Sequence, residues 1–304
     1  MDIAVTGSSG LIGSRLRERL QEEGHRPIAV VRRDPKPGAD EIRWRPDAGE
    51  IDAASLEGID GVIHLAGAGI GDKRWTAAYK KLLVDSRIDS TTLLADTLAS
   101  LDAKPSVFLS GSAIGYYGSR ADEVLTETST PGDDFLADLC VRWEAAAEPA
   151  VEAGVRTAYL RTGIVLASGA GALSKLVPVF KLGAGGRFGS GKQYMSWITL
   201  DDHVDAMLAL LANDMSGPVN LTAPNPVSNR EFVAALGSVL RRPTLFPIPP
   251  FGPKLLFGGE MAQALVFDSQ RVLPQVLLDA GHQFAHSEVE AALRSVLDRP
   301  EAAA

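Results

Sequence analysis

The chain has 304 residues, 45% of them hydrophobic, enough to bury a large core in one extended domain or two smaller ones. Its formal charge of -8 is spread along the sequence and disfavours a nucleic-acid groove; no apolar run is long enough to cross a bilayer and no basic-then-apolar leader precedes the first strand-like run, so a cytoplasmic protein without nucleic-acid or membrane partners is expected. The single Cys140 excludes an internal disulfide and a multi-cysteine metal site, and the five histidines fall in no ligand spacing, so no metal is expected.

In chain order, short β-branched runs alternate with longer amphipathic segments through the first 165 residues, the pattern of parallel strands joined by crossover helices. Strands are predicted at Asp2 to Thr6, Pro27 to Arg32, Gly61 to Leu65, Ser106 to Ser110 and Arg156 to Arg161. Helical periodicity covers Arg74 to Leu101, with Ile88, Ala95, Leu98 and Leu101 near one face, and Asp133 to Ala153. From about Gly163 the texture becomes Gly-rich and Pro-rich, with helices expected near 201 to 213, 228 to 240 and 287 to 296. Capping boxes mark two starts, Ser228 with Glu231 and Ser287 with Glu290. The fold class is therefore α/β: a Rossmann-type doubly wound parallel sheet over 1–164 plus about 197–222, and a smaller substrate region over 165–196 and 223–298.

"TGSSGLIG" sets Gly7, Gly10 and Gly13 directly after the first strand and at the mouth of a helix whose Leu16 and Leu20 can face a sheet. One glycine turns the chain, one admits a pyrophosphate to the backbone, and one lets helix and strand pack closely, with the helix N-terminus facing the anion. About twenty residues on, a site for NAD would carry an acid for the ribose; this chain has "VVRRD" instead. Arg32 and Arg33 suit a 2′-phosphate through charge-assisted hydrogen bonds, which points to NADP(H), with Arg32 the stronger candidate. The competing reading solvates both arginines and gives the ribose to Asp34. A second glycine run, "GRFGSGKQ" (186–193), fits G-x-x-x-x-G-K but puts Gln193 where magnesium needs Ser or Thr, and the following "YMSWI" has strand character, so a triphosphatase loop is rejected.

With that turn, "HLAGAG" (64–69), "SGSAIGYYG" (110–118), "LRTGIVL" (160–166) and "SWITLDDHVDAM" (196–207), the chain resembles the extended short-chain dehydrogenase/reductase superfamily along its whole length. "WRPDAGEID", "HLAGAGIGDKRW", "DSR", "GDDFLADLCVRWEAAA" and "GSGKQYMSWI" narrow the resemblance to its atypical epimerase-like subfamily, whose members end in a small uncharacterised domain. The resemblance implies that Gly7, Gly10, Leu11, Ile12 and Gly13 line the pyrophosphate, that Leu65, Ala66, Gly67 and Ser110 lie along the cofactor, and that Ser86 and Arg87 approach it from the long helix. Ser112 corresponds to the serine that hydrogen-bonds the reacting oxygen in active members; a turn hydroxyl is the plainer alternative. Extended relatives pair through two helices, here Arg74 to Leu101 and Asp133 to Ala153, which makes a homodimer a candidate assembly.

Active relatives also carry a Tyr and a Lys four residues apart on one helical face, the phenol moving the proton and the ammonium lowering its pKa. Aligning Glu144 with the acid that follows that pair puts Leu136 and Cys140 at the two positions, and no tyrosine has a lysine four places on. Three answers are open: a phenol from Tyr116 or Tyr117, against their use in aromatic packing; Cys140 as donor or nucleophile, against an inert buried thiol; or no proton transfer at all. Pocket-lining candidates are Arg161, Gln193, Tyr194 and Trp197, with Lys175, Arg187 and Lys192, suited to an anionic ligand. Asp201 or Asp202 is expected to cap a helix. The expected activity is an NADP(H)-dependent oxidoreductase or epimerase-like enzyme on a small carbonyl or nucleotide-sugar-type substrate; the alternative is a non-catalytic NADP(H)-binding regulator or sensor.

Overall fold

The computed structural model describes residues 1–298. The elements run β1 (Asp2–Thr6), α1 (Leu11–Glu22), β2 (Arg26–Val31), β3 (Glu41–Arg45), β4 (Glu50–Ile51), β5 (Gly61–His64), α2 (Ala77–Ser100) and β6 (Val107–Ala113). Next come β7 (Val124–Leu125), α3 (Phe135–Ala145), α4 (Glu148–Glu152), β8 (Arg156–Thr162), β9 (Ile164–Ala167) and α5 (Gly171–Lys181). The remainder is β10 (Tyr194–Met195), β11 (Trp197–Thr199), α6 (Leu200–Ala212), β12 (Gly217–Leu221), β13 (Val227–Ser228), α7 (Asn229–Leu240), α8 (Phe251–Phe257), α9 (Gly259–Ala262), β14 (Arg271–Val272), α10 (Gln275–Asp279) and α11 (Val289–Asp298). No helix among the described residues is long and apolar enough to cross a membrane.

The chain forms two compact units, one from Met1–Ala113, Asp138–Arg161 and Val204–Val219, the other from Ile114–Ala137, Thr162–His203 and the chain from Asn220 onward. This division differs from the expected one: residues 114–137, 162–164, 197–203 and 220–222 belong to the second unit.

In the first unit the sheet order is β12-β8-β6-β5-β1-β2-β3-β4, with β2, β5 and their outer partners β3 and β6 joined in parallel. The order reverses between β1 and β5, the topological switch point at which open α/β sheets bind ligands beyond the strand ends. Helix α1 buries Gly13, Leu16 and Leu20, as the i, i+3, i+4 spacing requires. Helix α2, started by Thr76, whose hydroxyl accepts from Tyr79 N–H at 3.1 Å, buries Leu83, Leu94, Ala95 and Leu98. One core cluster joins Ala4, Val30, Ile42, Trp44, Val62 and Phe108 to Leu94, Ala95 and Leu98 of α2. β3 was absent from the predicted strands; its alternation, Ile42 and Trp44 buried between polar neighbours, is ordinary half-buried strand texture. The expected helix from Asp133 breaks into α3 and α4, with Pro149 near the start of α4.

In the second unit β9 and β11 pair in parallel, and Leu166, Leu173, Phe180, Trp197, Phe232, Leu236 and Leu293 form the core beneath α5, α7 and α11. The Ser228–Glu231 capping box is formed. At α11 the first carbonyl to accept is that of Glu288, from Ala292 N–H, so Ser287 is not the cap, and Glu290 instead receives Ser238 and Arg294. At α6 the cap is Thr199, whose hydroxyl accepts from Asp202 N–H at 3.1 Å. Asp202 is buried and stitches the chain at 285–286 through Ala285 N–H (2.6 Å) and His286 N–H (3.2 Å). The run after Gly191 enters β10, with no helix, as the rejection of a triphosphatase loop requires.

Candidate functional site

The glycine turn is fixed by close contacts. Gly7 has φ +64, and a Cβ there would stand 2.8 Å from the Leu65 carbonyl; a Cβ on Gly13 would stand 2.2 Å from Gly7 O. Gly10 differs: it precedes α1 in extended geometry, and its Cβ would meet only Gly7 O, at 3.3 Å. That open side lies beside the N–H groups of Leu11, Ile12 and Gly13, which have no partners within the helix. With no acid in the first turn and no side-chain cap, the helix end is suited to a pyrophosphate.

Behind this turn lies a hydrogen-bonded chain that sequence reasoning missed. Thr6 Oγ1 accepts from the N–H groups of Leu65 (3.0 Å) and Ala66 (3.2 Å), so its proton goes to His64 Nδ1 at 2.7 Å. His64 then donates from Nε2 to Ser90 Oγ (3.1 Å), and Ser90 donates to Ser86 O (2.8 Å). Burial, seconded by the Arg87 charge, pushes the His64 pKa down to about 3, in keeping with this neutral tautomer. Ser86 Oγ accepts from Ala68 N–H at 3.1 Å, and Arg87, its guanidinium 5.0 Å over the Trp143 ring, lies against Gly67. The structure thus brings Leu65, Ala66 and Gly67 together with Ser86 and Arg87. The missed signal was the register that pairs Thr6 with His64.

At the end of β2, Arg32 is exposed and, among the described residues, holds no carboxylate. Arg33 is engaged, forking onto Glu41 at 2.8 and 2.5 Å. Asp34, the alternative ribose ligand, pairs with Arg43 at 3.2 Å.

Where active relatives keep Tyr and Lys, Leu136 is half-buried and Cys140 buried. Burial, then the neighbouring Glu144 carboxylate, pushes the Cys140 thiol up to about 12. It is protonated at neutral pH, which corrects its candidacy as a nucleophile. Four residues on, Glu144 accepts the Ser112 hydroxyl at Oε1 (2.6 Å) and a two-pronged fork from Arg161, Nε to Oε1 and Nη2 to Oε2, each 2.8 Å. All three side chains are buried, Arg161 to 3% exposure. Arg161, expected to meet substrate, is instead the counter-charge of Glu144. Trp143 donates from Nε1 to Thr91 Oγ1 at 3.0 Å, and its ring covers Gly111, where a Cβ would stand 2.7 Å from Cζ2. Flanking Gly111 are Ser112 and Ser110, whose buried hydroxyl has no partner among the described residues.

The remaining candidates lie in the second unit. Tyr117 is fully buried, its hydroxyl donating to Asn220 Oδ1 at 2.7 Å, and Tyr116 stacks edge-on against it with ring centroids 5.3 Å apart. Tyr117 is thus a core residue, a correction to its catalytic candidacy. Arg120, four places after Tyr116, forks onto Glu123. Gln193 is buried, donating to Phe188 O (3.3 Å) and Val266 O (3.1 Å). Trp197 is fully buried with Nε1 on Asn225 O at 3.1 Å, so it belongs to the core and not to a pocket wall. Tyr194 is half-buried under the Arg271 guanidinium, 4.9 Å from its ring centre.

Residues 3–222 match the NAD dependent epimerase/dehydratase family, and residues 248–296 match a domain of unknown function, DUF1731. An epimerase family protein of Mycobacterium tuberculosis is 42% identical over 299 residues, 98% of each chain. The human epimerase family protein SDR39U1 is 33% identical over 301 residues, covering 98% of this chain and all of the human one. The crystal structure of its isoform 2 with NADPH superposes with a TM-score of 0.90 at 32% identity, over 99% of this chain and 100% of that one. A nucleoside-diphosphate sugar epimerase from Corynebacterium glutamicum gives a TM-score of 0.79 at 36% identity, over 98% of this chain and 58% of that one.

Proposed function

Because the chain belongs to the NAD dependent epimerase/dehydratase family, we propose that it binds NADP(H) and acts as an epimerase-like oxidoreductase on a small carbonyl or nucleotide-sugar-type substrate, with Ser112 and Glu144 handling the proton. The cofactor part rests on the open side of Gly10, the unpaired N–H groups of α1 and the exposed Arg32; the structure of the human relative contains NADPH. Leu11, Ile12 and Gly13 would hold the pyrophosphate, Arg32 the 2′-phosphate, and Leu65 to Gly67 with Ser86 would border the rest. When bound, the cofactor would give or take a hydride at its nicotinamide ring.

The observation that carries the catalytic part is the Ser112 hydroxyl 2.6 Å from Glu144 at the end of β6. A carboxylate only accepts, so the Ser112 proton is directed at Glu144 and the lone pairs of its oxygen remain for a substrate hydroxyl. As a substrate alcohol is oxidised, its proton passes to Ser112 Oγ while that of Ser112 passes to Glu144 Oε1; reduction reverses the path. Arg161 holds the carboxylate in position and supplies the counter-charge it needs out of water.

The second reading, a non-catalytic NADP(H)-binding regulator, is favoured by one observation: a leucine and a buried protonated thiol hold the places of the relatives' proton-moving pair. Deuterium transfer from nicotinamide-labelled NADPH into a cell metabolite extract, read by mass spectrometry, separates the two. A labelled product formed by the wild type and lost in Ser112→Ala, with NADPH binding intact, supports the enzyme. Tight NADPH binding with no labelled product in either direction of reaction favours the regulator.

A further inference from the structure

The second unit carries an exposed apolar surface. Leu182, Leu245, Phe246, Phe251 and Leu255 are each between 71% and 86% exposed, far from the usual state of such side chains. Phe251 and Leu255 are four residues apart on α8, so the short helix turns its apolar side outward. The two segments bearing these residues are fastened together: Ile248 N–H donates to Arg187 O (2.8 Å), Gly189 N–H to Ile248 O (3.1 Å), and Arg242 Nε to Lys181 O (3.0 Å). Between them runs a groove of about 250 Å³ walled by Gly183 to Gly185, Pro243 and Leu245 to Pro249. Prolines at 243, 247, 249 and 250 restrict the strap that presents Leu245 and Phe246.

Charge points to what covers this face. The protein is acidic, with 38 Asp and Glu against 30 Lys and Arg, yet the segments that bear these side chains, residues 181–190 and 241–259, contain five bases and no acid, the exposed Glu260 following directly. Lys181, Arg242 and Lys254 are exposed beside the apolar side chains. We infer that this face docks on an anionic lipid surface, Phe246, Phe251 and Leu255 entering the headgroup boundary while the flanking cations meet lipid phosphates. A second copy of the chain would bring these cations against their own equivalents across a two-fold axis. Docking of this kind needs no spanning segment, so the shortness of the apolar runs, from which no membrane partner was expected, does not bear on it.

Flotation of the full chain with phosphatidylcholine vesicles and with equimolar phosphatidylcholine and phosphatidylglycerol vesicles tests the inference. The chain should float with the anionic vesicles at low salt, stay behind with the neutral ones, and be released at high salt. Partitioning should fall at least tenfold in Leu245→Ser/Phe246→Ser/Phe251→Ser and in Lys181→Glu/Lys254→Glu, both at exposed positions, with melting and NADPH binding unchanged. Failure of the wild type to float with anionic vesicles, equal binding to neutral ones, or full binding by both variants would overturn it. So would a wild-type dimer in sedimentation velocity that the apolar variant converts to monomer, since the cover would then be a second copy.

Discussion

Removing the carboxylate of Glu144 should unfold the first unit more readily, with no ligand present. In Glu144→Gln the Arg161 guanidinium, 3% exposed, loses its charged partner and cannot reach water, and the Ser112 hydroxyl loses its anionic acceptor. Breaking a buried pair from one side costs about 3–5 kcal/mol, and for a unit of this size about 2–4 °C of Tm accompanies each kcal/mol, so a drop of about 6–20 °C is expected. Arg161→Met should cost a similar amount. The double replacement Glu144→Leu/Arg161→Met removes both charges and should lose less than either single change, because a well-packed apolar pair substitutes for a buried ion pair with little penalty. Circular dichroism melts of the cofactor-free protein read all three. Single variants within about 1 kcal/mol of wild type, as for an exposed ion pair, would refute the buried triad and leave Arg161 free to serve a substrate.

The glycines give a contrast within one loop. Gly13→Ala drives a Cβ to 2.2 Å from Gly7 O and should abolish NADPH binding together with stability, whereas Gly10→Ala, with its nearest contact at 3.3 Å, should melt nearly as wild type yet bind NADPH at least tenfold more weakly in a fluorescence titration. Unchanged affinity in Gly10→Ala would put the pyrophosphate elsewhere. Burial lowers the pKa of His64 to about 3 and of His203 to about 4, so below pH 6.5 the unfolded chain takes up protons that the folded one refuses, and stability falls with pH until those folded values are reached. The unfolded imidazole is half protonated at pH 6.5, so the full slope of about 1.4 kcal/mol per pH unit for each group is reached only below that pH, and about 3 kcal/mol should be lost between pH 6.5 and 5. Urea melts that do not change over that range would contradict both buried neutral imidazoles.

What the sequence made legible was what local chemistry dictates. The three glycines announce themselves because no other residue fits their contacts, and the parallel strands follow from β-branched runs that need both faces covered. β3 is legible too, in the alternation of Ile42 and Trp44 with charged neighbours, although it is short and half of it faces solvent. The role of Arg161 was not: an arginine shows in sequence as a charge, and only the folded sheet reveals that Glu144, 17 residues earlier, closes on it. The Thr6–His64–Ser90 chain depends in the same way on strand register. Trp197 and Tyr117 look alike as pocket or core, since aromatic side chains serve both, and burial alone distinguishes them. Helix α5 was hidden by the glycines around it and by Pro178 within it.

The central claim, a cofactor site built for NADP(H), is tested most directly by calorimetric titration of NADPH and NADH into the wild type and Arg32→Ala. The exposed guanidinium at the end of β2, with Arg33 held by Glu41 and Asp34 by Arg43, predicts that the wild type binds NADPH at least tenfold tighter than NADH and that Arg32→Ala removes most of that difference by weakening NADPH alone. Equal affinity for the two cofactors, or NADPH binding unchanged in Arg32→Ala, would contradict it.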